Sequence, residues 1–141
     1  MPIRNCPIIQ FHSHDLHVKL PITIINPQTH KPYKTFGIID TGASKCAVPA
    51  LIAGILGYDT TNCKQEPVVT GSGQSYAYCL TTSMIIRHPI NPDNNVIFTI
   101  DNVLINYMPN LNIVLLGIDE FLSNFVLKID YPKRIFSLTR S

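Results

Sequence analysis

No basic run, no interleaving of aromatic with basic residues and no strong charge imbalance occur in this chain. Neither nucleic acid nor an anionic membrane surface is therefore indicated as a partner. Charge is scarce altogether: eleven Lys and Arg stand against nine Asp and Glu, a formal net charge of +2, with only 14% of the 141 residues charged. The four cysteines, Cys6, Cys46, Cys63 and Cys79, form no C-x-x-C pair, which argues against a zinc ribbon or a thioredoxin-type motif. The longest charge-free apolar stretch, residues 46–58, is too short to span a bilayer. No N-x-[ST] acceptor is present, and residues 1–17 alternate apolar, Pro and His residues without the apolar centre of a signal segment. A cytoplasmic location with reduced, mostly buried thiols is the expectation.

What is present is apolar. Hydrophobic residues make up 45% of the chain, enough at this length for one domain over residues 1–141 with a sizeable core. Residues 1–15 lack periodicity and read as an N-terminal arm or an edge strand. Residues 16–25 are β-branched with partial alternation (Val18, Leu20, Ile22, Ile24), and residues 33–40 return as a second strand after the turn chemistry of 26–32. Pro49 before an apolar run and Gly57 after it predict one short helix, with Pro49 at its first position. Residues 59–67 read as a polar connection.

A long hairpin follows, with Thr70, Gly71, Ser72 and Gly73 at its tip, mobile by composition. Residues 96–105 form a further strand. Residues 112–117 are a continuous apolar run, expected to be buried on both faces. Asp119 is placed to cap a helical turn through Asn124, and residues 125–129 and 134–138 form a closing hairpin, with Asp130 serving the turn between them. The expected class is all-β, with one or two short helices.

The chain is organised around residues 36–44, Phe-Gly-Ile-Ile-Asp-Thr-Gly-Ala-Ser. An apolar strand ends on an acid, Asp40, and small residues follow, suited to a tight turn where backbone approaches something closely. The Asp-Thr-Gly triplet alone is a weak signal, arising by chance about once in several thousand positions. Its surroundings decide. One exposed carboxylate is a modest catalyst. Two at hydrogen-bonding distance cannot both ionise, so one stays protonated while the other serves as base towards a water. Asp101, Asp119 and Asp130 lack a following small-residue loop, so the economical source of a second acid is a two-fold homodimer with Asp40 of each copy meeting on the axis.

With residues 36–44, the helix of 49–57, the glycine-tipped hairpin and the Leu115-Leu116-Gly117-x-Asp119 run in this order, the chain resembles the retropepsin-like aspartic proteases. The resemblance runs over residues 16–138. It implies a closed acid-protease barrel, acting without cofactor or metal as a homodimer that hydrolyses peptide bonds in an extended peptide or polyprotein. By position it implies Asp40 as the catalytic aspartate, supported by Thr41, Gly42, Ala43 and Ser44. It implies Thr70, Gly71, Ser72 and Gly73 as a flap, and Leu115, Leu116 and Gly117 beneath the active-site loop.

Two departures are visible. Retroviral members usually carry Asp where Ser44 stands and Arg where Ile118 stands, an ion pair that braces the dimer. Ala43 occupies a place where two-lobed pepsins have a hydroxyl that bonds the aspartate, so activity is expected to extend towards weakly acidic or neutral pH.

Two rival readings accompany this one. A barrel that has lost its charged brace could be an inactive peptide-binding or dimerisation module. A metal-dependent hydrolase could be built on His12, His14, Asp15 and His17, which are metal-ligand types, but in an extended strand His12 and His14 share one face while His17 points away. A solvated segment is the plainer account of them. Tyr76 and Tyr78 read as hairpin packing before substrate contacts.

Overall fold

The computed structural model describes residues 2–70 and 73–140. Gly71 and Ser72, two of the residues assigned to the flap, lie outside the described residues. The first hairpin joins β2 (Lys19–Ile25) to β3 (Pro32–Ile39), with apolar Leu20, Ile22 and Ile24 buried at intervals of two on one face and Lys19 and Thr23 buried on the other. Its turn is built by Asn26, whose Oδ1 accepts from the Gln28 N–H and whose Nδ2 donates to Leu56 O at 2.8 Å. Thr29 Oγ1 donates to the same carbonyl. The orphan carbonyl just past α1 (Ala50–Ile55) is thereby satisfied from another element, and Gly57, at φ +78°, turns the chain away. Pro49 ends β4 (Ala47–Pro49) and stands at the helix N-cap, one place earlier than predicted.

The barrel closes through β6 (Gly73–Arg87) and β7 (Val96–Met108). Their antiparallel register shifts between Thr82 and Met84, and such a bulge bends the pair and increases its twist. Bent in this way, β6 also pairs with β2, Ile22 opposite Ile86. With β8 (Val114–Leu116) between β3 and β4, six strands close in the order β2-β3-β8-β4-β7-β6 and back to β2. The interior holds Leu20, Ile24, Leu56, Met84, Ile105, Leu116 and Phe121. The fully buried Tyr107 meets Thr82 Oγ1 at 2.9 Å through its hydroxyl, so no polar atom is stranded there.

β5 (Lys64–Thr70) hangs on the outer edge of β6. Residues 64–67 belong to this strand and not to the expected connection; the polarity of Lys64, Gln65 and Glu66 hides it in the sequence. Charged residues are what an edge strand carries to resist pairing with another chain.

A second sheet has three strands in the order β1-β10-β9, from β1 (Ile3–Pro7), β10 (Ile135–Thr139) and β9 (Val126–Asp130). The start of the arm is thus an edge strand, held by Ile3 and Cys6 packed near Phe136 and Leu138. Between β1 and β2 the chain folds around Lys19. Its buried Nζ donates to Ile9 O and His17 O, both at 3.0 Å, and meets Asp15 Oδ2 at 2.6 Å.

Asp119 is not a helix cap. The 3-10 turn that follows, Leu122–Asn124, has no side-chain cap; Leu122 N–H bonds Gly117 O and Ser123 N–H bonds Ile118 O, so backbone does the capping. Asp130 does serve its turn, accepting from the Lys133 N–H at 3.0 Å. Among the described residues, no helix is long and apolar enough to cross a membrane.

Candidate active site

Asp40 is the first residue beyond β3. Both sides of the strand end are fastened: Ile39 N–H donates to Val18 O at 2.9 Å, and Asp40 N–H donates to Leu116 O at 3.1 Å. The chain then reverses, with Ala43 N–H bonded to Asp40 O. Gly42 N–H donates to Asp40 Oδ1 at 2.9 Å, which fixes the carboxylate over the turn. A Cβ on Gly42 would stand 3.2 Å from that oxygen, close enough that a larger residue would have to displace the carboxylate slightly. Asp40 is half-buried, while Thr41, Gly42 and Ser44 are exposed. The Thr41 hydroxyl makes no hydrogen bond among the described residues.

β8 threads between the two arms of this loop. It pairs in parallel with β3, Gly37 opposite Val114 and Ile39 opposite Leu116, and antiparallel with β4 through Ala47 and Leu115. Leu116 is fully buried beneath the loop, whereas Leu115 is only half-buried because it faces the cleft above. The expectation of burial on both faces therefore fails at Leu115, and the strand itself is only Val114–Leu116.

The chain leaving β8 clasps the loop from below. Ile118 N–H donates to Ala43 O at 3.0 Å and Asp119 N–H to Ser44 O at 2.8 Å. Gly117 N–H donates to the Cys46 sulfur at 3.3 Å, and Cys46 N–H donates to Glu120 Oε1 at 2.6 Å. A Cβ on Gly117 would lie 2.4 Å from both the carbonyl carbon and the oxygen of Lys45. Only glycine fits there. Burial pushes the Cys46 thiol up to about 12, with the Glu120 carboxylate adding to the rise and the Gly117 N–H opposing it. The thiol therefore stays neutral and serves as an acceptor. Where Ser44 and Ile118 supply no ion pair, this backbone clasp and the Glu120 carboxylate fix the loop.

Over the loop lies an open cleft of about 630 Å³, within the range that takes small ligands or a peptide segment. Asp40, Gly42, Ala43, Ser44 and Lys45 form one side, and Glu66, Val68 and Val69 of β5 face them. Met108, Leu111 and Leu115 supply apolar lining. Thr70 pairs with Gly73 where β5 meets β6.

The structure thus brings Asp40, Gly42, Ala43, Ser44 and Leu115 to one cleft, with Leu116 and Gly117 beneath it. The cleft residues Lys45, Glu66, Val68, Met108 and Leu111, and the clasp residues Cys46 and Glu120, were not singled out from sequence. Their partners lie up to 74 positions away, and no local pattern signals such contacts. The histidine cluster does not converge: Asp15 is taken by Lys19, with His17 Nδ1 at 3.4 Å on its outer side. Among the described residues, no group of three or more His, Cys, Asp or Glu is placed to hold a metal ion.

No family profile matches the chain, and no curated protein does. Among solved structures it is similar to a retropepsin-like aspartic protease from Rickettsia conorii. That likeness has a TM-score of 0.63 at 24% identity and covers 98% of this chain and 88% of the other. The fold is that of the retropepsin-like aspartic proteases.

Proposed function

We propose that this chain is an aspartic endopeptidase, active as a homodimer in which Asp40 of each copy supplies half of the catalytic pair. The observation that carries the reading is the presentation of Asp40: a carboxylate anchored through its own backbone to β8 and opening into a cleft of about 630 Å³. The exposed, unengaged Thr41 beside it fits a residue that finds its partner across a two-fold axis. One acid per chain is insufficient for the chemistry below, so a second copy completes the site.

In the pair, one carboxylate is ionised and the other protonated. The ionised member takes a proton from a water as that water attacks the scissile carbonyl carbon. The protonated member gives its proton to the carbonyl oxygen, producing a neutral gem-diol without a covalent enzyme intermediate. Collapse returns a proton to the departing amine. The substrate is an extended peptide with apolar residues beside the cut, matching Val68, Met108, Leu111 and Leu115. Its backbone pairs partly with the hairpin of β5 and β6, for which we assign Thr70, Gly71, Ser72 and Gly73 as the flap. No metal or cofactor enters this scheme.

The test is cleavage of an unstructured protein followed by mass spectrometry. Pepstatin-sensitive products are expected, with specific activity rising with protein concentration, and Asp40→Asn should reduce them to background. Undiminished products from Asp40→Asn would overturn the assignment. Peptide affinity without products, unaltered in Asp40→Asn, would instead favour a binding module.

A further inference from the structure

We propose that Lys45 makes the cleft selective for peptides bearing an acidic side chain close to the scissile bond. This inference rests on the endopeptidase reading and names the substrate class of that same site. Lys45 is exposed and is the one cation among the described residues that line the cleft. The rest of the lining combines the polar Asp40, Ser44, Glu66 and Asn106 with apolar side chains from Val68, Val69, Met108, Leu111 and Leu115.

Its charge is not used inside the protein. Among the described residues, ion pairs engage Lys19 with Asp15 and Lys34 with Asp93, and none engages Lys45. Two carboxylates share the cleft, Asp40 and Glu66, and neither stands within ion-pair distance of the Lys45 ammonium. Asp40 is occupied by the Gly42 N–H, and Glu66 Oε2 accepts from the buried Cys79 thiol at 3.5 Å.

The root of Lys45 is also rigid. Its carbonyl lies tightly against Gly117, and the next residue, Cys46, is bonded through its N–H to Glu120. The ammonium therefore swings on a fixed pivot belonging to the same loop as Asp40. A peptide entering the cleft displaces water, and an acidic side chain then gains a charge-assisted hydrogen bond that its amide counterpart forms only weakly. Lys and Arg at the same place meet like charge.

The experiment uses the full chain and a set of peptides sharing one apolar scissile pair, with Asp, Asn or Lys placed in turn at each flanking position. The wild type should cleave the Asp peptide with a kcat/KM about tenfold above that of its Asn counterpart at one or more positions. This ratio should fall as ionic strength rises, should collapse to about one in Lys45→Met, and should invert in favour of the Lys peptide in Lys45→Glu. Equal rates for Asp and Asn peptides at every position, or a preference that survives Lys45→Met, would overturn the proposal while leaving the endopeptidase reading intact. Equal slowing of all peptides in Lys45→Glu, restored by adding Glu66→Lys, would also overturn it, since the two residues would then latch the cleft to each other. Failure of the wild type to cut any peptide would count against the endopeptidase reading itself.

Discussion

Two glycines in this chain should respond to the same substitution with opposite signs. At Gly117 a methyl group would be placed 2.4 Å from the carbonyl carbon and oxygen of Lys45 and 2.9 Å from Ala43 O. All three are backbone atoms of the loop that carries Asp40, so no side chain can rotate aside, and either β8 or the loop must move. Overpacking of a tight site costs about 1–3 kcal/mol and sometimes more; with backbone as the obstacle, about 3 kcal/mol is the expected loss. Unfolding entropy of about 2 cal/mol/K per residue converts each kcal/mol into about 3 °C at this length, so Gly117→Ala should melt about 10 °C lower. It should also lose proteolysis, because the displaced loop bears the acid. Gly54, inside α1, has nothing within 4 Å of its would-be Cβ and no left-handed φ. Gly54→Ala should gain up to about 1 kcal/mol from helix propensity, or about 3 °C. Thermal unfolding by circular dichroism at one fixed protein concentration measures both, the concentration being held because a dimer melts in a concentration-dependent way. A Gly117→Ala protein that melts within about 2 °C of wild type and cuts normally would refute the argument that β8 fixes the loop by close approach.

Removing the Glu120 carboxylate should tell acceptor from bulk. Glu120→Ala leaves the buried Cys46 N–H without its partner, at a cost of about 1–3 kcal/mol, and should lower kcat more than it raises KM. Glu120→Gln keeps an oxygen acceptor and should recover most of both, as steady-state kinetics would reveal. At the arm, Lys19→Met should destabilise by about 3–5 kcal/mol by leaving the buried Asp15 carboxylate unpaired. The hydrogen bond from Lys19 holds the Asp15 carboxyl well below the ordinary carboxylate range, aided by the Phe11 and His17 N–H groups against the opposing effect of burial. Its stabilisation is thus complete above the unfolded value of about 3.9 and lost as pH falls further. Melting curves from pH 5 down to pH 2 should therefore show a steeper acid decline in wild type than in Lys19→Met. Half-buried Cys63 should react first with a bulky thiol reagent, and Cys46, held as a neutral thiol by burial, only on unfolding.

The strands legible from sequence were those whose faces differ. β2 alternates Leu20, Ile22 and Ile24 towards the core, and β3 ends visibly where its apolar run meets Asp40. Helix α1 was bounded by Pro49, whose ring fixes its own φ, and by Gly57, which is free to take the left-handed φ of +78° that ends the helix, so both signals act locally. β5 was partly missed because it is an outer edge strand whose N-terminal half is polar, so the pattern of a buried strand is absent there. Asp119 misled for a related reason. A cap is suggested by residue type, but whether the side chain caps depends on where the backbone N–H groups are already committed. Those of Leu122 and Ser123 were committed to Gly117 and Ile118.

The site divides along the same line. Asp40 and Gly42 interact across two positions, so their geometry follows from a short sequence of small residues. What holds that geometry is long-range: the loop is clasped by a segment more than seventy residues later, through Cys46 and Glu120. Neither residue type announces such a contact, since a lone cysteine and a surface-type glutamate both have commoner uses. An ion pair can be looked for in sequence because opposite charges at two positions need only be noted, and Ser44 and Ile118 visibly supply none. The backbone clasp that holds the loop was not visible, because backbone N–H and C=O groups are the same at every position. Only the approach distances identify which of them meet. Gly117 is the exception that joins the two: a glycine after an apolar strand signals close approach, and the 2.4 Å separation from Lys45 is that approach.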